Sequence, residues 1–515
     1  MSTAPTITEV DGVEVHWRES PGRLRASLVF RVGAVDEEFH TLGLSHLVEH
    51  LAFSEAEDLD PDTDGSTGVQ TTRFDVGGSP EKVAAHLASI CRSLSALADG
   101  TLPAARIEHE KRILAAEGNA AALPSPSIGE ALGTRYGLRG PGLAGIPAPM
   151  VQNIGEDEVH EWARTRFTAQ NAVLVLTGEP PAGLTLPLPS GTRRAVPTFG
   201  PVVHAAPAEY PSGGEELVLS FEVPGDDDAL EAVARVALKA LERRCFRELR
   251  RDAGVVYGTD AGLALQPGSG LCVVTVRTAP ASVREAGAGV LAVLRSIRDG
   301  GVAAEDLEAA VQDALDQLED PEGLAAELET AAVDALSGRP HLPLEKAAEA
   351  LRAVTPQDIA AYLSRLDSTL LVGVPGAAYP HEPEPGQPGL LATVLAPAQG
   401  PEVSGQAHPA KLIARLAGAP RGLRLTVGKA GLAITDGATP RSLAWDDVVG
   451  LEHDTSDPAI ELLRVIGLTG DVIEVPLTIL KGADQALEAI HAHVPARRRI
   501  SVTEPHHEPA PAPAG

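Results

Sequence analysis

The stretch GLSHLVEHLAF, residues 43–53, is the most informative segment of this chain for both fold and chemistry. His46 and His50 are four residues apart, so on a helix their side chains project from one face, one turn apart. Two neutral imidazoles at that spacing can hold one zinc ion. The opposite, core-facing stripe of the same helix consists of three leucines: Leu44, Leu47 and Leu51.

Glu49 lies three residues after His46 and shares its face of the predicted helix. In that position it can take a proton from a water molecule that the metal has made more acidic. The pattern HxxEH arises by chance in roughly a few per cent of chains of this size. A helix with ordinary surface histidines is therefore the alternative interpretation of this motif.

Zinc needs a third protein ligand and one open position for catalysis. The segment ARIEHEKRILAAEGN, residues 105–119, contains Glu110 and Glu117, which are two helical turns apart and lie on one face. We expect Glu117 to be the third ligand. Glu110 is then expected beside the site, where it can orient a ligand histidine. His109 points elsewhere and is expected on the surface.

Composition limits the broad class of the protein. A length of 515 residues predicts roughly three or four domains, and 43% hydrophobic residues suffice for packed cores. The formal net charge of −29 disfavours nucleic acid and membranes as partners. No apolar run approaches the length of a membrane helix, and the N-terminus lacks a secretory signal. Three scattered cysteines fit a reducing, cytoplasmic location.

The order of predicted elements indicates an α+β protein with two copies of one plan, followed by a smaller unit. Each copy pairs strands into a sheet with helices on one face, and proline- and glycine-rich segments at 180–214 and 376–409 follow the copies. Short strands before a helix at 480–493 predict a small β-barrel or roll. The expected boundaries are 1–190, 205–378 and 410–496 for the three units, and 497–515 for a disordered tail.

At this point the chain resembles the insulinase-like M16 peptidases, which include mitochondrial processing peptidases and insulin-degrading enzymes. The match rests on the zinc motif, the glutamate pair, and three further segments: FTAQNAVLVLTGE, RCFRELRRDAGVVYG and VTPQDIAAYLSRL. It covers about residues 5–378. The resemblance implies two modules that form half of a clamshell around a peptide chamber, with a zinc ion held by His46, His50 and Glu117 and with Glu49 as general base.

The resemblance also implies that Arg250 and Tyr257 bind substrate, the tyrosine toward the developing oxyanion and the arginine toward a carbonyl. Without the family, a surface charge and a core aromatic are the simpler interpretations of this pair. Because one chain carries both the zinc motif and the pair, we expect a dimer. A homodimer and a heterodimer with a related M16 chain are both compatible with the sequence.

Two departures from the family pattern concern substrate binding. The segment after Phe53, SEAEDLDPDTDGS, replaces a helix, and the expected edge strand TGVQTTRFDV lacks the family's asparagine–alanine pair. That strand is expected to receive the substrate as an added strand through main-chain hydrogen bonds. The C-terminal unit loosely resembles a pleckstrin-homology-like barrel, and a stabilising or docking appendage is the alternative interpretation.

The sequence therefore predicts a zinc-dependent endopeptidase that hydrolyses peptides enclosed in a chamber. The alternative is a non-catalytic peptide-binding or scaffold subunit of an M16 heterodimer. The predicted ligand set also tolerates manganese or cobalt.

Overall fold

The structure is a computed structural model of the chain. It describes residues 5–53, 62–117, 123, 126–203, 205–225, 228–266, 269–339, 341–376, 390–395, 400–437, 440–457 and 459–502. Three units follow one another along these residues: two modules, each with one mixed sheet, and a C-terminal unit with two smaller sheets.

The first module contains a six-stranded sheet in the order β1-β2-β6-β3-β5-β4. Its strands are β1 (Thr6–Val10), β2 (Val13–Trp17), β3 (Leu24–Phe30), β4 (Thr63–Thr67), β5 (Thr72–Gly78) and β6 (Ala172–Leu176). Only β2 and β6 run parallel; the other neighbours are antiparallel. The helices are α1 (Leu44–Ala52), α2 (Pro80–Ala98), α3 (Ala104–Glu117), α4 (Pro126–Tyr136) and α5 (Glu156–Arg166).

The second module repeats this plan without the first strand, in the order β7-β11-β8-β10-β9. Its strands are β7 (Ala208–Ser212), β8 (Leu217–Pro224), β9 (Gly258–Gln266), β10 (Ser269–Arg277) and β11 (Leu371–Pro375). Its helices are α6 (Asp228–Cys245), α7 (Val283–Gly300), α8 (Ala304–Glu319), α9 (Pro321–Ser337), α10 (Leu344–Ala353), α11 (Pro356–Tyr362) and α12 (Leu366–Thr369). In this module β7 and β11 are the parallel pair.

The two modules cover each other's sheets, which the prediction of helices on one face did not include. Helix α4 of the first module packs on the second sheet, where Leu132 and Tyr136 meet Val218 and Val273. In return, α9 of the second module packs on the first sheet. The residues of that contact are Val29, Val173, Val175, Leu328, Ala332 and Leu336. This exchange buries the second face of each sheet and ties the modules together.

The C-terminal unit, predicted as a small β-barrel or roll, contains two four-stranded sheets. Strands β12 (Gly405–Pro409), β13 (Arg424–Gly428), β14 (Gly431–Thr435) and β15 (Arg441–Ala444) form one sheet, and β16 (Val448–Asp457), β17 (Ile460–Gly467), β18 (Val472–Pro476) and β19 (Arg499–Val502) form another. Across the residues described, no strand pairing joins the two sheets into a barrel. Helices α13 (Leu412–Leu416) and α14 (Ala483–His493) complete the unit.

The C-terminal unit also extends beyond its predicted boundaries. Strand β12 begins before residue 410, and β19 pairs in parallel with β16 beyond residue 496. The remainder of the predicted tail, 503–515, lies outside the described residues. The unit docks on the first module, where Phe39 and Leu143 pack with Val449 and Ile466.

None of the helices in the described ranges combines the length and the apolar character needed to cross a membrane. The three cysteines, Cys91, Cys245 and Cys272, are buried free thiols.

Candidate metal centre

Helix α1 is fixed at its first turn by a glycine and a buried carboxylate. Gly43 has a φ of +93°, and a β-carbon there would lie 2.7 Å from the Cβ of Ala148, so only glycine fits. The Glu37 carboxylate accepts hydrogen bonds from the backbone N–H groups of Gly43, at 2.7 Å, and Ser45, at 2.6 Å. Burial raises the pKa of Glu37 to about 7, although these hydrogen bonds oppose the shift. The buried Glu37 carboxylate and the close packing at Gly43 therefore fix the orientation of α1.

The leucine stripe of α1 is buried as predicted. Leu44, Leu47 and Leu51 are at most 2% exposed. The histidine side chains on the other face, His46 and His50, retain 16% exposure each. The amphipathic sequence of α1 thus anchors one face in the core and leaves both imidazoles partly exposed.

Two imidazoles and one carboxylate meet at a single point. The Nε2 atoms of His46 and His50 lie 3.2 Å apart. The Oε2 atom of Glu117, at the end of α3, lies 3.7 Å from the first of these nitrogens and 3.4 Å from the second. Ligand atoms bound tetrahedrally to one zinc ion are about 3.3 Å from each other. The three side chains therefore have the separations that zinc requires.

Glu110 approaches the second nitrogen of one imidazole. Its Oε2 atom lies 3.4 Å from Nδ1 of His50, whose Nε2 faces the ligand cluster. A carboxylate on Nδ1 fixes the tautomer that leaves Nε2 free to bind a metal. The exposed His109, next to Glu110 in sequence, points away as expected.

Glu49 lies beside the cluster and is buried. Its Oε2 atom is 3.5 Å from Nε2 of His46, and the residue is 5% exposed. Burial and the nearby carboxylates of Asp64 and Glu117 raise the pKa of Glu49 to about 8. A hydrogen bond from Thr67 opposes this shift. A dication at the neighbouring nitrogens would oppose this shift, because it stabilises the ionised carboxylate.

The edge strand of the first sheet passes directly over Glu49, but it is not the strand that the sequence indicated. The segment 67–76 contains the end of β4, a turn and most of β5, and β5 has partners on both sides. The edge is β4, whose residues come from the stretch read as replacing a helix. Gly65 of β4 lies against the Glu49 carboxylate and the Phe53 ring. Gly65 and Glu37 are thus site residues that sequence reasoning missed.

The predicted substrate pair lies in the second module, at the junction of α6 and β9. Arg250 is in a π-helical turn, Phe246–Asp252, and its guanidinium stacks 5.3 Å from the ring of Phe246. Tyr257 directly precedes β9 and is 65% exposed, so it is not a core aromatic. Within the described residues, no hydrogen bond or ion pair links either side chain to the histidine cluster.

Comparison with known proteins relates part of the chain to a family. The family model described as the Peptidase M16 inactive domain matches residues 193–313. That segment lies mainly in the second module and does not include the histidine cluster. No curated protein matches the sequence.

Solved structures share the two-module fold. A protease from Helicobacter pylori is 14% identical with a TM-score of 0.56, covering 72% of this chain and 98% of that chain. The first half of the periplasmic protease PqqL from Escherichia coli is 15% identical with a TM-score of 0.56, covering 72% and 91%. A chain of complex III2 from Candida albicans, with Inz-5 bound, is 13% identical with a TM-score of 0.59, covering 72% and 95%. At these identities the likeness concerns the fold.

Proposed function

We propose that this chain, which is related to the M16 peptidases, is a zinc-dependent endopeptidase. The observation that carries the proposal is the convergence of His46, His50 and Glu117 within 3.7 Å of one another, with Glu49 alongside. Two imidazoles and one carboxylate with an open side are a ligand set typical of catalytic rather than structural zinc.

The side chains around this point have distinct roles in the proposed reaction. Bound zinc would supply Lewis-acid polarisation of the scissile carbonyl. Glu49 takes a proton from the attacking water and returns it to the leaving amine. Glu110 holds the imidazole of His50 in the orientation and tautomer that binding requires. The buried position of Glu49 limits competition from bulk water.

We propose that an extended peptide adds to the outer edge of β4. This strand pairs with β5 on one side only in the described part of the sheet, so its other side has no strand partner there and a further strand can add to it. An added strand that used the N–H of Gly65 would replace its present hydrogen bond to Oδ1 of Asp64, at 2.9 Å. Gly65 brings the middle of β4 against Glu49, so a peptide paired there would pass the zinc cluster with its backbone. Main-chain pairing is compatible with many different side chains in the substrate. The proposed substrate class is therefore peptides in extended conformation.

Arg250 and Tyr257 are proposed to act on substrate from a second M16-type chain. Both are exposed and belong to the second module, and no described hydrogen bond or ion pair links them to the cluster of their own chain. A clamshell formed by a homodimer, or by a heterodimer with a related chain, would bring the pair of one chain to the zinc of the other. The C-terminal unit, whose resemblance to a pleckstrin-homology domain stays a prediction, would serve as a stabilising or docking appendage.

The alternative is a non-catalytic peptide-binding or scaffold subunit. The name of the matching family model, which describes an inactive domain, and the likeness to a chain of complex III2 favour it. However, residues 193–313 exclude the cluster, and a subunit without catalysis has no need of three ligand atoms at zinc spacing and an adjoining carboxylate.

A direct experiment separates the two functions. Purified full-length protein is expected to contain about one zinc per chain and to cleave a quenched peptide library. Glu49→Gln should keep its zinc and lose cleavage, because the amide cannot accept the proton. Equal rates for wild type and Glu49→Gln would reject the peptidase. Retained zinc and peptide affinity without any cleavage by wild type would support the scaffold subunit.

A further inference from the structure

A second cleft lies where the C-terminal unit docks on the first module; none of the proposed metal ligands lines it, whereas Glu37, which fixes the start of α1, does. Its volume is about 580 Å³, which is within the range of small-molecule sites. The walls come from residues 35–40 and 138–140 of the first module, 194–199 of the connecting segment, and several positions of the C-terminal unit. Four arginines line it: Arg139, Arg166, Arg194 and Arg498. Four acids line it as well: Asp36, Glu37, Glu38 and Asp446.

One buried asparagine fixes the backbone of three arginines at this cleft. The side-chain amide of Asn171 donates to the carbonyl oxygens of Arg31, at 3.1 Å, and Arg166, at 2.7 Å. Its oxygen accepts from the backbone N–H of Arg194 at 2.9 Å. Asn171 is fully buried, so these three segments are held together in a rigid arrangement.

The gathered guanidiniums share a single carboxylate. Arg31 is fully buried and pairs with Asp36, and Nη1 of Arg166 lies 3.7 Å from the same carboxylate. Burial lowers the pKa of Arg166; Asp36 opposes the shift, and the charges of Arg194 and Arg31 add to it. Among the described residues, neither Arg139 nor Arg194 has a carboxylate as an ion-pair partner.

Of the other acids of the cleft, Glu37 and Glu38 have partners and Asp446 is exposed. Glu37 accepts from the N–H groups at the start of α1. Glu38 lies 3.2 Å from Nη2 of Arg498 and 3.4 Å from Nδ1 of His40.

Arg139 donates only to the carbonyl oxygen of Gly200, at 3.0 Å, among its described partners. The Nε atoms of three lining arginines are buried without a hydrogen-bond acceptor in the described structure: Arg139, Arg166 and Arg194.

We propose that this cleft binds a small molecule with a doubly charged oxyanion group and an apolar body, held by Arg166 and Arg194. Guanidinium groups bind phosphate or paired carboxylates through two parallel hydrogen bonds, which matches the unmet donors here. The rings of Phe39 and Phe199 and the side chain of Leu468 line the same space and fit an apolar body. This proposal does not rest on the proposed peptidase activity.

Calorimetric titration of the full-length protein at constant ionic strength tests this site. The probes are phenyl phosphate and phthalate, two dianions on the same ring, with phenol as the uncharged comparison. We expect saturable binding of one equivalent of at least one dianion and none of phenol. Preference for phenyl phosphate identifies a phosphate ligand, and preference for phthalate a dicarboxylate ligand. Failure of both dianions to saturate below about 10 mM overturns the proposal.

Variants locate the binding. Arg194→Gln is expected to raise the dissociation constant roughly tenfold or more, and Arg194→Lys by less, because the charge is retained without the planar fork. Arg139→Gln, on another wall, provides a second test should Arg194→Gln not fold. The matched control is Arg164→Gln, two residues from Arg166 on α5 and paired with Glu161 at the surface. Equal weakening by Arg164→Gln would show that binding is not at this cleft.

Discussion

Gly65 of the edge strand β4 lies directly against the carboxylate of Glu49. A β-carbon at this glycine would overlap Oε1 of Glu49 and stand 2.7 Å from the ring of Phe53. The proposed substrate-binding edge and the proposed general base are therefore in contact through the one residue type that permits it.

Gly65→Ala should impair catalysis without removing the metal. The new methyl group must displace the Glu49 carboxylate, and displacements near 1 Å cost about 100-fold in rate. We expect kcat to fall by roughly that factor while the zinc content is unchanged. Gly262→Ala is the matched control, since Gly262 lies on the edge strand of the second module with open space around it. Full activity of Gly65→Ala would separate β4 from the mechanism.

The two glutamates of α3 should differ in their effect on metal binding. Glu117→Ala removes a ligand and is expected to abolish stoichiometric zinc. Glu110→Ala leaves the ligands in place but frees the ring of His50, so zinc affinity should fall about 10- to 100-fold. His109→Ala, on the exposed face of the same helix, should bind zinc normally. Competition with a chromogenic chelator measures all three. An equal loss for His109→Ala and Glu110→Ala would contradict the assignment.

Glu37→Gln should destabilise the start of α1. An amide offers one accepting oxygen, so one buried N–H of Gly43 or Ser45 would lose its partner. The expected loss is about 1–3 kcal/mol in the free energy of unfolding, together with weaker zinc binding. Glu9→Gln, exposed on β1, is the control. Denaturant unfolding with and without zinc provides the measurement, and unchanged stability of Glu37→Gln would refute the role of the carboxylate.

Stability should fall in alkaline solution because of His341. Burial alone would lower its pKa, but hydrogen bonds to Asp334 and Glu327 outweigh burial and raise the pKa to about 9. The folded state therefore binds the proton more tightly than the unfolded chain, whose histidine pKa is about 6.5. This contribution is fully present below about pH 6.5 and is lost as pH rises through 9.

His341→Gln should remove that dependence. Between pH 6.5 and 9 the wild type is expected to lose on the order of 1–2 kcal/mol of its free energy of unfolding, and the variant much less. Denaturant melts across this range measure the difference. Parallel pH profiles for the two proteins would contradict the raised pKa of His341.

Complementation should reveal whether Arg250 and Tyr257 act across a homodimer. Glu49→Gln and Tyr257→Phe are each expected to lower activity strongly. If Tyr257 serves the zinc of the other chain, a mixture after subunit exchange regains about a quarter of the wild-type rate, because each mixed dimer contains one intact site. Without recovery in a mixture that demonstrably exchanges subunits, the pair does not act in trans within a homodimer.

Strongly amphipathic helices were predictable from the sequence, whereas packing between modules was not. Helix α2, Pro80–Ala98, has an amphipathic sequence and a readable start, since Ser79 caps it and Pro80 occupies its first position. The helical pattern over 304–337 forms two helices, α8 and α9, and α9 begins at Pro321. The cross-covering role of α4 depends on the second sheet and has no local signature.

Strand β4 was missed for a related reason. Its sequence, TDGST, contains aspartate and glycine, which have low strand propensity, and pairing with β5 overrides that preference. The true edge of the first sheet is therefore one strand earlier than the sequence indicated.

The candidate site was predictable wherever chemistry and helical spacing coincide. The spacing of His46, His50 and Glu49 places them on one face of a helix. The seven-residue interval between Glu110 and Glu117 places these two glutamates on one face of a second helix. The contact of Glu117 with both histidines depends on how α3 packs against α1, which residue spacing does not predict. Glu37 lies before α1 in the chain and accepts hydrogen bonds from its first turn. Gly65 matters because it has no side chain, which lets β4 lie against Glu49.

X-ray absorption at the zinc edge of the purified protein tests the central claim most directly. The account predicts one zinc per chain with two imidazole nitrogens and oxygen ligands at about 2.0–2.2 Å, no sulfur, and loss of the signal in His46→Ala. Protein that binds no stoichiometric metal after incubation with zinc, or a spectrum with sulfur ligands, would contradict it.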